Sequence, residues 1–314
     1  MNKPLRFGRA RWWAHGSVRF GVLVLGLMTA LALAAPWLGT LDPSAMDSNY
    51  INKPMGSHGP FALPDGQTLA HTFWLGSDSF GRDIYSRVIY GTRISLLVGA
   101  GTALLSLSLG GLLGMLAGYF RTLDAVLMRI MDGLMAIPAV LLAIALVAAL
   151  GASVATVVVA IAIPEVPRVT RLVRSLVLSL REEPFVEAAR ALATPTPLIL
   201  WRHILPNAMA PLLVQGTFVA ASAVLSEAVL SFLGLGLPPD IPTWGNIMAE
   251  GRVQFSLYPE QVLIPAMFLV PTVLAINVLG DGLRPSERLS ERIHCRDHTS
   301  RRGEHVMIRR CANS

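Results

Sequence analysis

The sequence predicts an all-α integral membrane protein with six transmembrane helices. Three observations carry this prediction. Apolar residues make up 53% of the 314 residues and charged residues only 15%, with a mean hydropathy of +0.54; a soluble domain averages about 25% charged residues. Six apolar runs approach the roughly 20 residues a helix needs to cross a bilayer. They are 19–39, 93–119, 128–150, 152–164 with some extension, 208–232 and 260–281. Basic residues, finally, fall in alternate connecting segments.

Each run has its own justification. The first follows a start that carries Lys3, Arg6, Arg9, Arg11 and Arg19 and no acid. Its end, LALAA, looks like a signal-peptide cleavage site. The run from Phe20 to Ala35 is long for a signal peptide, and its removal would spoil the charge alternation, so we read it as a retained span. The second run holds Gly110, Gly114 and Gly118 at four-residue spacing, a ridge that lets another helix approach closely. That partner can belong to this chain or to a second subunit. The fourth run, SVATVVVAIAIP, is short and meets Pro164 and Pro167; it spans only if the helix continues towards Val173 or tilts. Pro138, Pro265 and Pro271 suggest kinks, which transporters tolerate around a cavity. Asp132 and Glu227 are acids within or beside spans, where they are expensive in lipid and face protein or water. They serve either a solute path or capping and pairing between helices, with fold support favoured for Glu227.

Arginine placement sets the expected orientation. The segment 165–206 carries Arg168, Arg171, Arg174, Arg181, Arg190 and Arg202, and the tail after Asp281 is also arginine-rich. By contrast 233–259 has only Arg252, and 40–81 only Lys53. The positive-inside rule then places both termini and 165–206 in the cytoplasm of a multi-pass inner-membrane protein. The net charge of +6 is thus mostly topology, with a contribution from membrane lipid, and requires no nucleic acid. Cys295 and Cys311 fall in the cytoplasmic tail, where a disulfide is not expected. His294, Cys295 and His298 do not have zinc-site spacing, so no metal is expected.

Two polar segments stand out. The first, LGSDSFGRDIYSRVIYGTRISLLVG at 75–99, closes a Pro-, Gly-, Asp- and Ser-rich stretch that reads as turns. Gly76 and Gly81 permit tight turns, and Asp78 or Ser79 can cap a helix. Asp83 and Arg87 stand four apart and can pair, while Ile84, Val88 and Ile89 face the other way. This predicts a short amphipathic surface helix feeding the second span.

The second segment is EAARALATPTPLILWRHILPN, residues 187–207. Pro184 suits a first helical turn, and EAARALA forms helix readily. Ala188 and Ala189 offer a small-residue face, and Arg190 lies within reach of Glu187. Pro195 and Pro197 end this helix, and LILWRHIL forms a second one that stops at Pro206. The expectation is a rigid helix–turn–helix projecting from the membrane.

These segments carry a family resemblance. Gly76, Asp78, Gly81, Arg82, Asp83, Ser86, Arg87, Gly91, Arg93 and Ser95 match the G-[TS]-D-x-x-G-R-D-x-x-S-R-x-x-x-G-x-R-x-S pattern of the second permease subunit of dipeptide, oligopeptide and nickel ABC importers. The similarity continues through MDGLMAIP at 131–138, EAVLSFLGLG at 227–236, PTWGN at 242–246 and NVLGDGLR at 277–284, covering about residues 15–284. The resemblance implies the type I ABC importer permease architecture. It divides the chain into a cytoplasmic tail (1–18), a first helix with periplasmic loop (19–92), a permease domain (93–284) and a divergent tail (285–314).

It also makes 165–206 the EAA loop, which docks on the ATPases, with Glu187, Ala188 and Ala189 opening the motif and Ile204, Leu205 and Pro206 closing it. The family's usual glycine falls at Ala193, where a positive φ would cost alanine about 1 kcal/mol. Either the turn is shaped differently here or Pro195 fixes it. The implied partners are a homologous second permease, two ATP-binding subunits and a periplasmic or lipid-anchored solute-binding protein. ATP and Mg belong to the ATPase subunits, since this chain has no G-x-x-x-x-G-K-[ST] phosphate loop. The implied solute is a di- or oligopeptide, with nickel, glutathione or an opine-like solute as the alternative. An intramembrane hydrolase is the rival class. Ser106 and Ser108 lie in a span, but no histidine does, so a nucleophile–base pair is missing and the chain reads as no enzyme.

Overall fold

The structure, a computed structural model, describes residues 16–63 and 68–283. The basic start from Lys3 to Arg11 and the tail bearing His294, Cys295, His298 and Cys311 lie outside the described residues. The helices are α1 (Gly16–Ala34), α2 (Ile84–Tyr119), α3 (Arg121–Met135), α4 (Ala139–Leu150), α5 (Val154–Leu180), α6 (Pro184–Ala191), α7 (Thr196–Phe232, with a π-helical turn at Leu200–Ile204), α8 (Trp244–Gly251) and α9 (Glu260–Leu283). A hairpin of β1 (Ser57–Ala62) and β2 (Thr68–Phe73) stands between α1 and α2.

Among the described residues, four helices are long and apolar enough to cross a membrane: α1 with its extension to Trp37, α2, α7 and α9. The pair α3–α4 is apolar enough to make a fifth crossing when taken together, as a broken span or a re-entrant loop, and is bent by 89° at its break. The break falls before Pro138, which lacks an N–H and keeps Ile137 from continuing the helix. Helix α5 carries Glu165, Arg168, Arg171 and Arg174, so composition alone does not mark it as a span. Its packing does place it alongside one. A Cβ on Gly101, Gly110, Gly114 or Gly118 of α2 would meet Val158, Val169, Val173 and Val177 of α5 in turn. The contacts advance in the same direction on both helices, so α5 runs parallel to α2 through the same depth. The helix also passes Pro164 and Pro167 unbroken to Leu180, the condition set for the weak fourth run to span, so residues 165–180, expected in the loop 165–206, belong to this helix instead.

This pairing decides what the glycine ridge is for. At Gly110, Gly114 and Gly118 an added Cβ would lie 2.6–2.7 Å from a valine Cβ and 2.7–3.0 Å from a backbone carbonyl of α5. The ridge therefore serves the chain's own bundle. Ser106 and Thr102 donate hydroxyls to the carbonyls of Ala162 and Val158 along the same seam. Helix α1 is built into the bundle: Gly21 lies against Ala275 and Leu279 of α9, and Arg93 of α2 donates to the carbonyls of Ala32 and Leu33 at the open end of α1.

The stretch 40–81 holds more than turns. Leu41, Ala45, Phe61 and Phe73 form a small core there, with Tyr50 stacked on Phe73 at 4.9 Å and Phe61 edge-on to it at 5.8 Å. Aromatic contacts across two short strands carry this core, and Pro60 within β1 masks the alternation that would have signalled it. The Asp47 carboxylate accepts from the backbone N–H groups of Ala62 and Asn49, both at 2.9 Å. The Ala62 bond above all holds this carboxyl below its ordinary range, against the opposing effect of burial.

The surface helix expected before the second span does not exist separately. Helix α2 begins at Ile84 and runs 36 residues without interruption. Its N-cap is Asp83, which accepts from Ser86 N–H, rather than Asp78 or Ser79. Ile84, Val88 and Ile89 are buried as their spacing requires.

Two outcomes are expected. Gly114→Leu forces a branched side chain into the α2–α5 seam and should destabilise the bundle by about 1–3 kcal/mol or more. A fall in detergent melting temperature checks it, with Gly133→Ala, which meets nothing within 4 Å, as the unaffected control. The Asp47 carboxyl titrates lower folded than unfolded, so its contribution to stability is present above the unfolded value and is lost as pH falls through the folded one. Proteolytic sensitivity of the hairpin should rise in acid, and Asp47→Asn should flatten that dependence.

Candidate functional site

One candidate surface is the segment 184–206. Pro184 opens α6, as its missing N–H suits the first turn. Val186, Ala189, Ile199 and Ile204 are buried and pack with Val173, Val177 and Ala208 at one end of the bundle. Glu187, Ala188, Arg190, Ala193 and Pro206 remain exposed, and Leu205 is half-buried. The buried side chains root the segment, and the exposed ones form an outward face. That face also carries Phe185, Leu198, Trp201 and Leu192, the last two 71% and 81% exposed.

Several expected details change. Ala189 is spent on the internal core, so only Ala188 of the pair faces outward. Arg190 lies over the Tyr119 ring at 5.3 Å, which joins α6 to the last residue of α2; a Glu187–Arg190 pair is not among the described ion pairs. Helix α6 ends at Ala191, ahead of Pro195, which instead precedes the first turn of α7. The helix expected to stop at Pro206 runs on to Phe232. The π-turn at Leu200–Ile204 makes room for Pro206, because Leu205 N–H reaches back five residues to the Leu200 carbonyl.

Ala193 adopts φ +54°, the left-handed conformation that favours glycine. Thr194 N–H bonds the Ala189 carbonyl at 3.1 Å and Ala193 N–H bonds that of Arg190 at 2.9 Å. This is a Schellman cap with alanine at the position where glycine usually stands. Gly234 builds the same cap at the end of α7, through Leu235 to Leu230 and Gly234 to Ser231. The turn is therefore not reshaped: it keeps the left-handed conformation usual for glycine, and its bonds come from Ala193 and Thr194 rather than from Pro195.

At the opposite end of α2 the signature residues close on one another. Gly76 and Gly81 have φ of +80° and +74°. Asp78 accepts from the backbone N–H groups of Phe80 and Arg82 through one oxygen. Its other oxygen takes Arg82 Nε at 2.6 Å and Arg87 Nη1 at 3.2 Å. Both arginines also meet Glu250 of α8, Arg87 at 3.3 Å. Arg87 therefore pairs with Asp78 and Glu250, and the expected Asp83–Arg87 pair is replaced by the Asp83 cap. Ser86 Oγ accepts Leu41 N–H at 2.8 Å and ties the hairpin segment to α2. Gln261 of α9 reaches Asn52 and Ser77. The cluster fastens the hairpin, α2, α8 and α9 together with almost no exposed charge. Burial pushes the Glu250 carboxyl above its ordinary range, while Arg87 and Arg82 pull it down. Sequence reading missed Glu250; its position in the amphipathic stretch after PTWGN was the available signal.

The two acids noted in the spans separate. Asp132 is exposed and pairs with Arg171 of α5 at 2.6 Å. Glu227 is fully buried and accepts from Ser231 Oγ at 2.7 Å, one turn away. Beside it, PTWGN folds the α7–α9 connection inward: Thr243 caps α8, and Trp244 donates to the Val88 carbonyl. Asn246 Nδ2 donates to the carbonyls of Leu237, Pro238 and Ile241. Sequence reading also passed over Glu165, a buried carboxylate midway along α5.

A bundle with several helices long and apolar enough to cross a membrane, and a rooted, outward-facing helical segment at one end, defines the class as multi-pass membrane proteins. The family model for binding-protein-dependent transport system inner membrane components matches residues 110–288, and the chain belongs to that family. It is 48% identical over 270 residues to a probable peptide ABC transporter permease of Sinorhizobium fredii, covering 86% of this chain and 88% of that one. It is 40% identical over 266 residues to a dipeptide transport system permease of Alkalihalophilus pseudofirmus, covering 84% and 83%. A glutathione transport system permease of Pectobacterium atrosepticum is 41% identical over 271 residues, covering 86% and 85%. The chain is thus the inner-membrane permease component of an ABC importer, whose ATPase and solute-binding components are its partners.

Replacing Ala193 with glycine should relieve about 1 kcal/mol of local strain. Amide-exchange protection of α6 should rise roughly fivefold. Replacing Glu250 with glutamine leaves two buried arginines with one carboxylate. It should cost about 3–5 kcal/mol, read as a lower melting temperature with α8 exposed to protease.

Proposed function

We propose that this chain is a permease subunit of an ATP-driven peptide importer and that residues 184–206 receive the ATPases. The observation that carries this reading is the division of labour within that segment: buried Val186, Ala189, Ile199 and Ile204 hold it to the bundle, while Phe185, Leu192, Leu198 and Trp201 present apolar side chains outward. Large exposed apolar groups on a rooted helical element fit a protein partner better than water. Arginine placement supports a cytoplasmic position for this face and for both termini.

In this reading a homologous second permease completes the path and two ATPases, which hold ATP and Mg, sit beneath. A periplasmic or lipid-anchored binding protein delivers the solute to the hairpin side, and lipid surrounds the rest. ATP binding biases a two-state bundle, and the rooted segment passes the motion to α5 and α7. Names of relatives support di- or oligopeptides as the solute. The glutathione permease relative supports a second reading, in which the solute is that tripeptide-like thiol.

The test is Glu187→Lys on the exposed face of α6. Membrane insertion should be unchanged and solute-driven uptake should fall at least tenfold. Normal uptake would remove the ATPase-contact role from this face.

A further inference from the structure

The sites described so far do not use Glu165, only 6% exposed and halfway along α5, the helix that packs parallel to the α2 span. It lies eleven residues into α5, about 16 Å along the helix axis, which is about half the thickness of a hydrocarbon slab of about 30 Å. Its carboxylate accepts from Arg168 Nη1 at 3.2 Å and from Ser222 Oγ of α7 at 3.3 Å. The Arg168 side chain is 57% exposed. A guanidinium at that depth must meet water or protein, because lipid would penalise it heavily. Glu165 also lines a notch of about 20 Å³ with Ala139 and Val140, which open α4, and with Ser226. The start of α4 has no side-chain cap, so the first N–H groups of this half-helix stay available beside the carboxylate.

We propose that Glu165 and Arg168 are a midplane contact for the transported solute, one carrying both an ammonium and a carboxylate group. The solute's ammonium replaces Arg168 at Glu165, and the released guanidinium, with the α4 N-terminus, takes the solute's carboxylate. The exchange leaves no unpaired charge in the slab at any stage. No bond to hydrogen or carbon changes; only ion-pair partners do. The inference rests on the peptide-importer reading and adds to it the residues that touch the solute.

The test uses the full importer, with its ATPases and binding protein, in proteoliposomes. The probes are trialanine and a trialanine analogue bearing a diazirine. In the wild type the analogue should label peptides containing residues of α4, α5 or α7 around Glu165. Glu165→Gln should lower trialanine uptake at least tenfold and abolish that labelling, with the complex recovered in normal yield. Glu165→Asp should restore at least half of the uptake, and Arg168→Gln should lower uptake in the same way. Wild-type uptake and labelling in Glu165→Gln would overturn the contact while leaving the importer reading standing. Loss of complex in Glu165→Gln with labelling elsewhere in the wild type would assign the pair to helix packing instead. A wild-type importer that hydrolyses ATP yet neither takes up nor is labelled by peptide would overturn the peptide reading, and this inference with it.

Discussion

The structure depends on the close parallel contact between α2 and α5. Glycines at 110, 114 and 118 bring the α5 backbone near enough for carbonyl and valine contacts with no side chain between. In a bilayer, where burying apolar groups between helices gains little over leaving them in lipid, such close packing is the main attraction available. It also solves the problem set by α5's charges. Held along α2, the helix can carry Glu165, Arg168, Arg171 and Arg174 on other faces, where Asp132, Asp124 and Glu165 answer the arginines. The seam joins the two ends of the molecule mechanically: α2 begins in the charge cluster at the hairpin, and α5 ends at the segment 184–206.

At the hairpin end, the family signature turns out to be one three-dimensional object. Its aspartates, arginines and serine were legible as a spaced pattern, and the pattern identified the family. The partners were not legible, because Glu250 and Leu41 come from distant parts of the chain. Spacing of four suggested Asp83 with Arg87. Tertiary geometry gave Asp83 to the helix cap and Arg87 to Asp78, since a buried arginine needs more than one acceptor. The hairpin itself was hidden for a related reason: its core is four residues, two from the segment before it and one from each short strand.

The segment 184–206 was legible in outline and changed in detail. Helix, turn and helix follow from alanine-rich and proline-marked sequence, and Ala193 was identified as a place where glycine is usual. The positive φ there shows that cap hydrogen bonds from Ala193 and Thr194 outweigh the strain on a methyl side chain. Continuation of the second helix through Pro206 was not legible, because a π-turn that absorbs a proline leaves no local signature. Which alanine faces outward likewise depended on how the segment docks back onto Val173 and Val177. Among the apolar runs, the one in α5 was the weakest in sequence because it is short and meets Pro164 and Pro167, and nothing local showed that the helix passes both.

The central claim is that this bundle works only as the membrane part of a larger importer. Affinity purification of the tagged chain from gently solubilised membranes, followed by identification of what accompanies it, tests this most directly. The account predicts co-purification of a second, homologous permease and of ATP-binding subunits, with the ATPases lost when Leu192 and Trp201 are replaced by charged residues. Recovery of the chain alone, or only with copies of itself, from membranes with active uptake would contradict the account.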